Sequence, residues 1–319
     1  MSNKEEGCNE ETASADDVCA NCGIAEVDDI KLKLCDGGCD FVKYCSDRCC
    51  EMHRPYHVGE CRRRAAKLHD DKLFRQPDES HRGECPICFL PLPLDINKCI
   101  YKACCSNVIC DGCLLANFKN NGGDRCPFCR ETAPDEEESI KRTKKRMKAN
   151  DPAAFCYMGT ILHKEGDRDE AFKYFAKGAE LGDVEAHCRI GLAYAIGEDV
   201  ERDVEKYFYH LEKAAIGGHF FARHDLGVVE EGNGNVERAV KHYMIAANLG
   251  YEGSMKRLWP LYSAGHITKE DLDATLRTHQ AAINEMKSSQ REEAEMVRRQ
   301  TNNNPEGGEE ILADYDDVD

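Results

Sequence analysis

Pairs of cysteines recur through the first part of the chain at spacings that let two thiolates bind one metal ion. The 319 residues include 20 cysteines, and all of these except Cys156 and Cys188 lie between Cys8 and Cys129. In a reducing compartment, paired cysteines bind metal more often than they form disulfides. Zinc takes four ligands in a tetrahedron, and a site closed by four protein ligands is structural because no position remains for a reactive water. The cysteines therefore predict structural zinc sites, and no pattern typical of a conventional enzyme active site accompanies them.

The first group of ligands reads C-x2-C, C-x3-C, C-x3-C and H-x3-C, which is enough for two zinc ions. Its candidate ligands are Cys19, Cys22, Cys35, Cys39, Cys45, Cys49, His57 and Cys61. His53, four residues before His57, is a rival ligand on the same predicted helix. Cys8 and Cys50 are spare. We call residues 18–61 the first cysteine module.

The stretch YCSDRC followed by H-x3-C, from Tyr44 to Cys61, resembles the MYND zinc finger. The resemblance implies that the pairs interleave. Cys19 and Cys22 would then share one zinc with Cys45 and Cys49, and Cys35 and Cys39 would share the other with His57 and Cys61. The chain departs from the family in its second pair, which is C-x3-C instead of C-x2-C. It also departs in the last helix, where Cys50 and Arg54 replace Gln and Trp beside the groove that family members use to bind proline-rich peptides.

A second group of cysteines lies between Glu84 and Arg130. Three pairs have the C-x2-C spacing, namely Cys85 with Cys88, Cys110 with Cys113, and Cys126 with Cys129. A fourth pair must come from Cys99, Cys104 and Cys105. Adjacent ligands need a tight turn, so Cys99 remains an alternative to Cys104, and spacing alone does not decide between them. We call residues 84–131 the second cysteine module.

This second arrangement resembles a RING domain in its all-cysteine form. The resemblance implies cross-braced sites, one formed by Cys85, Cys88, Cys110 and Cys113 and the other by Cys104, Cys105, Cys126 and Cys129. The slot in which most RING domains carry a histidine is Asn107 here, which fits the all-cysteine variant. RING domains hold a ubiquitin-charged conjugating enzyme in a reactive conformation, which is catalysis by positioning.

The same resemblance assigns partner contacts to three residues. Ile87 and Pro127 stand where family members touch the conjugating enzyme, and Arg130 stands where a cation bridges that enzyme and ubiquitin. Arginine suits this role because its guanidinium offers five donors in a rigid fork. Asn117, followed by Phe118, occupies the place where Trp is usual. The alternative roles are a core contact for Ile87, a turn for Pro127 and a solvated charge for Arg130.

The second half of the chain repeats. Gly182, Gly218 and Gly250 are spaced by 36 and then 32 residues, and a second glycine series is offset upstream at Gly159, Gly191 and Gly227. A period of this size predicts stacked pairs of helices. The motifs resemble Sel1-like repeats, relatives of the tetratricopeptide family. That resemblance implies an α-solenoid whose concave face binds protein, because an extended binding surface is the usual purpose of such an architecture.

The charge of the chain restricts the classes of partner. A formal net charge of -17 argues against nucleic-acid binding by the whole chain. The basic clusters at Arg62–Arg64 and Lys141–Lys148 are short and flanked by acids. The second cluster could be a nuclear-localisation signal, although a solvated helix face is the simpler interpretation. We expect no transmembrane helix and no signal peptide, and hence an intracellular protein of the cytoplasm, the nucleus or both.

The sequence thus predicts a multidomain protein with two small cross-braced α+β zinc modules, an all-α helical-repeat solenoid and disordered acidic termini. The expected segments are a disordered N-terminus (1–17), the first module (18–61), a linker (62–83), the second module (84–131), a charged linker helix (132–148), Sel1-like repeats (149–264), a C-terminal capping helix (265–299) and a disordered acidic tail (300–319). With about four zinc ions bound, the expected function is that of a RING-type E3 ubiquitin ligase. Its partners would be a ubiquitin-conjugating enzyme, ubiquitin and an unknown protein substrate. The alternative is a non-enzymatic scaffold that mediates protein–protein interactions.

Overall fold

The computed structural model describes residues 18–27, 30–123, 125–197 and 200–303. It forms two compact units, one ending at Arg75 and the other beginning at Gln76. The described residues contain four strands, β1 (Lys33–Leu34), β2 (Lys43–Tyr44), β3 (Cys99–Lys102) and β4 (Asn107–Cys110). Their helices are α1 (Asp47–Leu73), α2 (Asp111–Asn121), α3 (Glu136–Met147), α4 (Pro152–Glu165), α5 (Arg168–Glu180), α6 (Val184–Ile196), α7 (Val204–Ile216), α8 (Phe220–Gly232), α9 (Val236–Asn248), α10 (Glu252–Ser263), α11 (Lys269–Glu285) and α12 (Ser289–Asn303). Cys8 and most of the acidic tail lie outside the described residues.

The first unit consists of a short hairpin followed by one long polar helix. Strands β1 and β2 pair antiparallel, and the loop between them carries two of the candidate ligands. Helix α1 begins after Ser46, whose hydroxyl accepts a hydrogen bond from the backbone N–H of Cys49 (3.3 Å). The helix then continues beyond Cys61 to Leu73, so the first cysteine module and the first part of the expected linker share one helix.

The second cysteine module is a hairpin followed by a helix. Strands β3 and β4 pair antiparallel with Cys99 opposite Cys110. The chain turns tightly between them, where the N–H groups of Cys105 and Ser106 both donate to the Lys102 carbonyl. Helix α2 follows β4 directly, and Gly122, the residue after the helix, adopts a left-handed conformation.

Helices α4 to α9 form three antiparallel pairs, each packed on the next. The two glycine series of the sequence have different physical roles in them. Gly182, Gly218 and Gly250 follow the second helix of each pair with φ of +90°, +86° and +94°, a conformation that non-glycine residues rarely adopt. The other series lies inside the first helices. A Cβ at Gly159 would stand 2.8 Å from the Phe175 ring, and one at Gly227 would stand 2.7 Å from the Tyr243 ring.

The segment after α10 differs from expectation in one respect. The sequence predicts one capping helix over residues 265–299, and a helix does begin in this segment, where the Thr268 hydroxyl accepts a hydrogen bond from the Asp271 N–H (3.1 Å). The segment nevertheless forms two helices, α11 and α12, and the prediction of one helix is wrong. Ser288 starts the second helix by accepting a hydrogen bond from the Arg291 N–H (3.3 Å). No helix among the described residues is long and apolar enough to cross a membrane.

Candidate metal centres

Cys19, Cys22, Cys45 and Cys49 converge in the first cysteine module, with their sulfur atoms all within 4.8 Å of one another. The Cys45 sulfur lies 3.6 Å from those of Cys22 and Cys49. Three parts of the chain supply the four sulfurs: an N-terminal C-x2-C turn, the residue that follows β2 and the first turn of α1. The interleaved pairing implied by the MYND resemblance is therefore the pairing that the fold brings together.

The second cluster of this module contains Cys35, Cys39, His57 and Cys61, all of them buried. The Cys35 and Cys61 sulfurs are 3.6 Å apart, and Cys39 Sγ lies 3.3 Å from His57 Nε2. The rival residue His53 lies outside this cluster. Its Nδ1 is 2.9 Å from the Tyr44 hydroxyl. Since His53, His57 and Cys61 follow one another at four-residue spacing on α1, only the tertiary fold separates their roles.

The second cysteine module also contains two clusters. Cys85, Cys88, Cys110 and Cys113 form one, and Cys104, Cys105, Cys126 and Cys129 form the other. Sulfur–sulfur distances are 3.9 Å for Cys85–Cys113, 3.8 Å for Cys88–Cys110, 4.0 Å for Cys104–Cys105 and 3.9 Å for Cys105–Cys126. The turn between β3 and β4 lets two adjacent cysteines reach the same cluster. Cys99 is instead buried in the core of the module, with its sulfur 4.0 Å from the Pro93 carbonyl oxygen.

The donor sets fit zinc. A tetrahedron with zinc–sulfur bonds of 2.3 Å has sulfur–sulfur edges of about 3.8 Å, which matches the separations within the clusters. The same separations are far too long for disulfide bonds, which are about 2.05 Å. All the cysteines in the described part of the chain are free thiols. Four such groups therefore could each hold one metal ion.

The pKa values of the crowded thiols also indicate that a cation is needed if all four sulfurs of a cluster are to be thiolates. Hydrogen bonding to the Cys22 sulfur, together with Cys49, raises the pKa of Cys45 to about 12. Burial, together with Cys35, raises the pKa of Cys61 to about 12. Without a cation, such crowded sulfurs cannot all be thiolates, because like charges at this distance oppose one another. Burial also lowers the pKa of His57, which keeps its imidazole neutral and able to bind a metal near neutral pH.

Three of the four C-x2-C pairs, those that start at Cys19, Cys85 and Cys126, share a backbone motif that ends in a left-handed residue. In the turn that starts at Cys85, the Phe89 N–H donates to the Cys85 carbonyl, and φ of Phe89 is +56°. Arg130 follows the Cys126 turn in the same way with φ of +66°, whereas Gly23 fills that position after the Cys19 turn. A left-handed conformation costs a non-glycine residue about 1–2 kcal/mol. The second module therefore carries two side chains, Phe89 and Arg130, at positions that favour glycine.

The residues expected to contact a conjugating enzyme lie on the surface of the second module. Ile87 and Pro127 are half-buried, and Arg130 is exposed. Asn117 donates from its side chain to the Arg125 carbonyl (3.0 Å), which ties α2 to the loop that precedes Cys126. Two exposed phenylalanines beside candidate ligands, Phe89 and Phe128, are not among the residues predicted to contact a partner. Their positions directly next to C-x2-C cysteines are the feature of the sequence that could have indicated them.

The comparisons with known proteins concern the helical half. The family model "Sel1 repeat" matches residues 153–183, 184–219 and 221–251. The solenoid is built of Sel1 repeats. Each match covers one pair of packed helices, so the prediction of Sel1-like repeats is confirmed for α4 to α9.

Two solved structures illustrate the similarity. A Sel1 repeat protein from Oxalobacter formigenes is 27% identical, and the alignment covers 54% of this chain and 72% of that one with a TM-score of 0.41. The second, c5321, is a protective antigen of uropathogenic Escherichia coli strains displaying an SLR fold. It is 18% identical, and the alignment covers 77% of this chain and 44% of that one with a TM-score of 0.38. None of the curated proteins matches the chain.

The Sel1 repeats and the second cysteine module belong to the same compact unit and contact each other directly. The guanidinium of Arg146, at the end of α3, donates to the carbonyl oxygens of Ala103 (2.9 Å) and Cys104 (2.6 Å). The ring of Tyr101 on β3 packs on that of Tyr157 in the first repeat, with centroids 4.5 Å apart. The turn that carries two candidate ligands is therefore held by the helices that open the solenoid.

A fifth group of potential ligands, His81, Glu185 and His219, lies where the loop before the second module meets the Sel1 repeats. His219 Nδ1 accepts a hydrogen bond from the Ala222 N–H (3.2 Å) at the start of α8, so the neutral ring carries its proton on Nε2. That Nε2–H points to Glu185 Oε2 at 3.0 Å, and His81 Nε2 lies 3.3 Å from the same oxygen. A metal ion bound to Nε2 of His219 would require the proton of the neutral ring to be on Nδ1, where the Ala222 N–H already donates. The three side chains therefore form a hydrogen-bonded contact between the loop and the repeats.

Proposed function

We propose that this protein is a scaffold that binds other proteins through its Sel1 repeats and whose cysteine modules are folded around about four structural zinc ions. The observation that carries the proposal is the run of three consecutive Sel1 repeats, packed as helix pairs. Repeats of this kind contact only their neighbours, and the extended surface that results suits protein binding.

The zinc ligands in this proposal are the sixteen residues that the sequence singled out. They are Cys19, Cys22, Cys35, Cys39, Cys45, Cys49, His57, Cys61, Cys85, Cys88, Cys104, Cys105, Cys110, Cys113, Cys126 and Cys129. Each ion would be closed by four protein ligands, so its contribution is folding energy and shape. Modules of this size bury too little apolar surface to fold alone, which is the physical reason for a metal.

The helical half offers two exposed aromatic residues as anchors for a partner, one in the second repeat and one on the helix that follows the third repeat. Tyr209 on α7 is 56% exposed, and Trp259 on α10 is 49% exposed. Tryptophan and tyrosine dominate the binding energy of many protein interfaces, because they bury a large apolar area while offering one polar group. Neither side chain belongs to the buried core.

Site-specific crosslinking of the full-length protein tests the scaffold. A photoreactive phenylalanine analogue would replace Tyr209 or Trp259, and the matched control would carry it at Tyr56, an exposed residue of the first module. We expect discrete proteins to crosslink at the Tyr209 and Trp259 positions and to be displaced by excess unmodified chain. The paired substitution Tyr209→Ser and Trp259→Ser should weaken that binding about tenfold or more while helicity is retained. The absence of any displaceable partner, or identical products at all three positions, would contradict the scaffold.

A second candidate function, ubiquitin ligation, is favoured by one set of residues on the second module. Ile87 and Pro127 are partly accessible, and Arg130 is exposed and carried at a left-handed position that would suit glycine better. The retention of a costly residue in such a conformation is compatible with a functional role. In this candidate function the partners are a ubiquitin-charged conjugating enzyme and ubiquitin.

Discharge assays across a broad panel of conjugating enzymes separate the two functions. If the ligase function holds, Ile87→Ala should weaken enzyme binding. Arg130→Ala should slow ubiquitin discharge while leaving binding of the uncharged enzyme nearly unchanged. Both variants should keep their zinc, since neither residue is a candidate ligand. If no conjugating enzyme in the panel is stimulated, the scaffold stands as the function of the whole chain.

A further inference from the structure

One arginine of α12 reaches into the second cysteine module. Arg291 on α12 is only 7% exposed, and its Nη1 donates to the carbonyl oxygens of Pro91 and Met286, both at 2.7 Å. Its Nη2 donates to the Leu90 carbonyl oxygen (3.3 Å) and points to the Cys88 sulfur (3.4 Å). A buried guanidinium thus lies against one of the four sulfurs of a candidate metal cluster, two hundred residues away in the chain.

Two further contacts of α12 are to residues that directly follow the ligand Cys110. Arg298, two turns beyond Arg291, pairs with the buried carboxylate of Asp111 (2.6 Å), which directly follows Cys110. The next residue, Gly112, lies so close to α12 that a Cβ on it would stand 2.8 Å from the Arg291 backbone nitrogen. Gly112 does not have a positive φ, so close approach of the helix, and not backbone conformation, explains the absence of a side chain.

The charges explain why an arginine belongs there. A zinc ion with four thiolates carries a net charge of about −2, and burying such a charge is costly unless it is paired. The guanidinium offers the cluster a charge-assisted hydrogen bond and compensates part of that charge. Docking of α12 places this positive charge against the Cys88 sulfur and against the loop that carries it, so the docked helix and the zinc-loaded cluster stabilise each other.

We propose that Arg291 is the charge partner of the zinc–thiolate cluster formed by Cys85, Cys88, Cys110 and Cys113, so that zinc binding there and docking of α12 favour each other. The proposal rests on the zinc binding that the proposed function assumes. The coupling is reciprocal, because a helix that stabilises the loaded cluster must itself be stabilised by loading. Helix α12 would in this way respond to the metal state of a module far away in sequence.

Chelator competition on the zinc-loaded, full-length protein tests the coupling. A metal-sensitive dye would follow zinc release, and alkylation of the exposed thiols followed by mass spectrometry would identify which cluster had emptied. We expect Arg291→Met to lower the zinc affinity of the Cys85 cluster by about 10- to 100-fold, the usual effect of removing a group that hydrogen-bonds to a ligand. The cluster that contains Cys104 should keep its affinity. Arg291→Lys, which retains the charge, should recover part of the loss.

Two further variants guard against a merely structural effect. Arg299→Met removes an exposed arginine from the same helix and should change nothing at either cluster. Gly112→Ala keeps every ligand and Arg291 but forces α12 away, so it should weaken the same cluster and speed hydrogen exchange in residues 289–303. Unchanged zinc affinity in both Arg291→Met and Gly112→Ala would overturn the coupling. A wild-type protein that binds no zinc would instead refute the metal sites themselves, so the two failures are distinguishable.

Discussion

At the scale of single residues, neighbouring cysteines differ in role because of where their sulfurs point. Cys99 begins β3 and packs in the core of the second module, where burial raises its pKa to about 11. Cys104, at the tip of the same hairpin, lies within 4.8 Å of three other sulfurs. Burial raises the pKa of Cys104 as well, so the convergence of the sulfurs, and not their ionisation, separates the two cysteines. The geometry thus favours Cys104 over Cys99 as the ligand.

Paired substitutions of these cysteines are the first test. We expect Cys104→Ser to reduce the zinc content of the purified protein by about one ion, because a hydroxyl is a poor replacement for a thiolate in a closed site. Cys99→Ser should keep the full zinc content and lower only the stability of the module, since it buries a hydroxyl where a sulfur packed. The measurement is elemental zinc per chain. The opposite pattern would make Cys99 the ligand and Cys104 a bystander.

At the scale of elements, the Sel1 repeats are organised by glycines that allow their helices to touch. Inside α8, a Cβ on Gly227 would enter the ring of Tyr243 on α9, with its nearest atom at 2.7 Å. Gly232, at the end of the same helix, would have no neighbour within 4 Å. The same residue type therefore has opposite constraints within one helix, and the difference lies entirely in the partner helix.

This contrast gives a matched pair of variants. Gly227→Ala should lower the free energy of unfolding of the repeats by about 1–3 kcal/mol, because the ring of Tyr243 is enclosed and overpacking forces it to move. Gly232→Ala should be neutral or stabilising by up to about 1 kcal/mol, as expected for an open helix position. Urea denaturation followed by the helical circular-dichroism signal measures both. Equal effects of the two substitutions would show that α8 and α9 do not pack as described.

The histidines between α6 and α7 predict a pH dependence of the repeats. Burial, together with the charges of His187 and Lys206, lowers the pKa of His210 from 6.5 to about 4. The folded state therefore keeps His210 neutral, while the unfolded state binds a proton near pH 6.5. Stability from this group is fully present above pH 6.5 and is lost as the pH falls towards 4. Hydrogen exchange of α6 and α7, corrected for the intrinsic pH effect, should show reduced protection over that range.

Replacement of His210 measures how much of the loss of protection in α6 and α7 comes from this residue. His210→Gln should have a flatter pH dependence between pH 6.5 and 4, because glutamine does not take up a proton there. Burial lowers the pKa of His187 and His224 as well, so part of the dependence should remain. A variant whose protection still falls as steeply as that of the wild type would assign the effect to those other histidines.

At the scale of the whole molecule, metal and apolar packing stabilise different parts of the chain. The cores of both cysteine modules consist largely of candidate ligands and their neighbours. The repeats have a core of alanine, leucine, isoleucine and aromatic side chains. Since the repeats bury their apolar faces on each other, their stability requires no metal.

Strong chelation should therefore unfold the two cysteine modules and leave the Sel1 repeats folded. We expect hydrogen exchange to rise throughout residues 18–61 and 84–131 after zinc removal, while helices α4 to α9 keep their protection. Purified protein should first contain about four zinc ions per chain. Two zinc ions or fewer in fully loaded protein would remove one module from this account. Loss of protection in α4 to α9 would show instead that the repeats depend on the docked second module.

The sequence by itself determined fourteen of the sixteen candidate ligands, their division into two modules and the helical repeat, because ligand spacing and helical periodicity are local properties that need only a few neighbouring residues. It left open His53 against His57 and Cys99 against Cys104, since each pair has the right chemistry at an acceptable spacing. The tertiary structure decided which of these side chains converge. Only that structure brought Arg291 to Cys88, because contacts between residues two hundred positions apart depend on how helices pack and leave no periodic signal in the sequence.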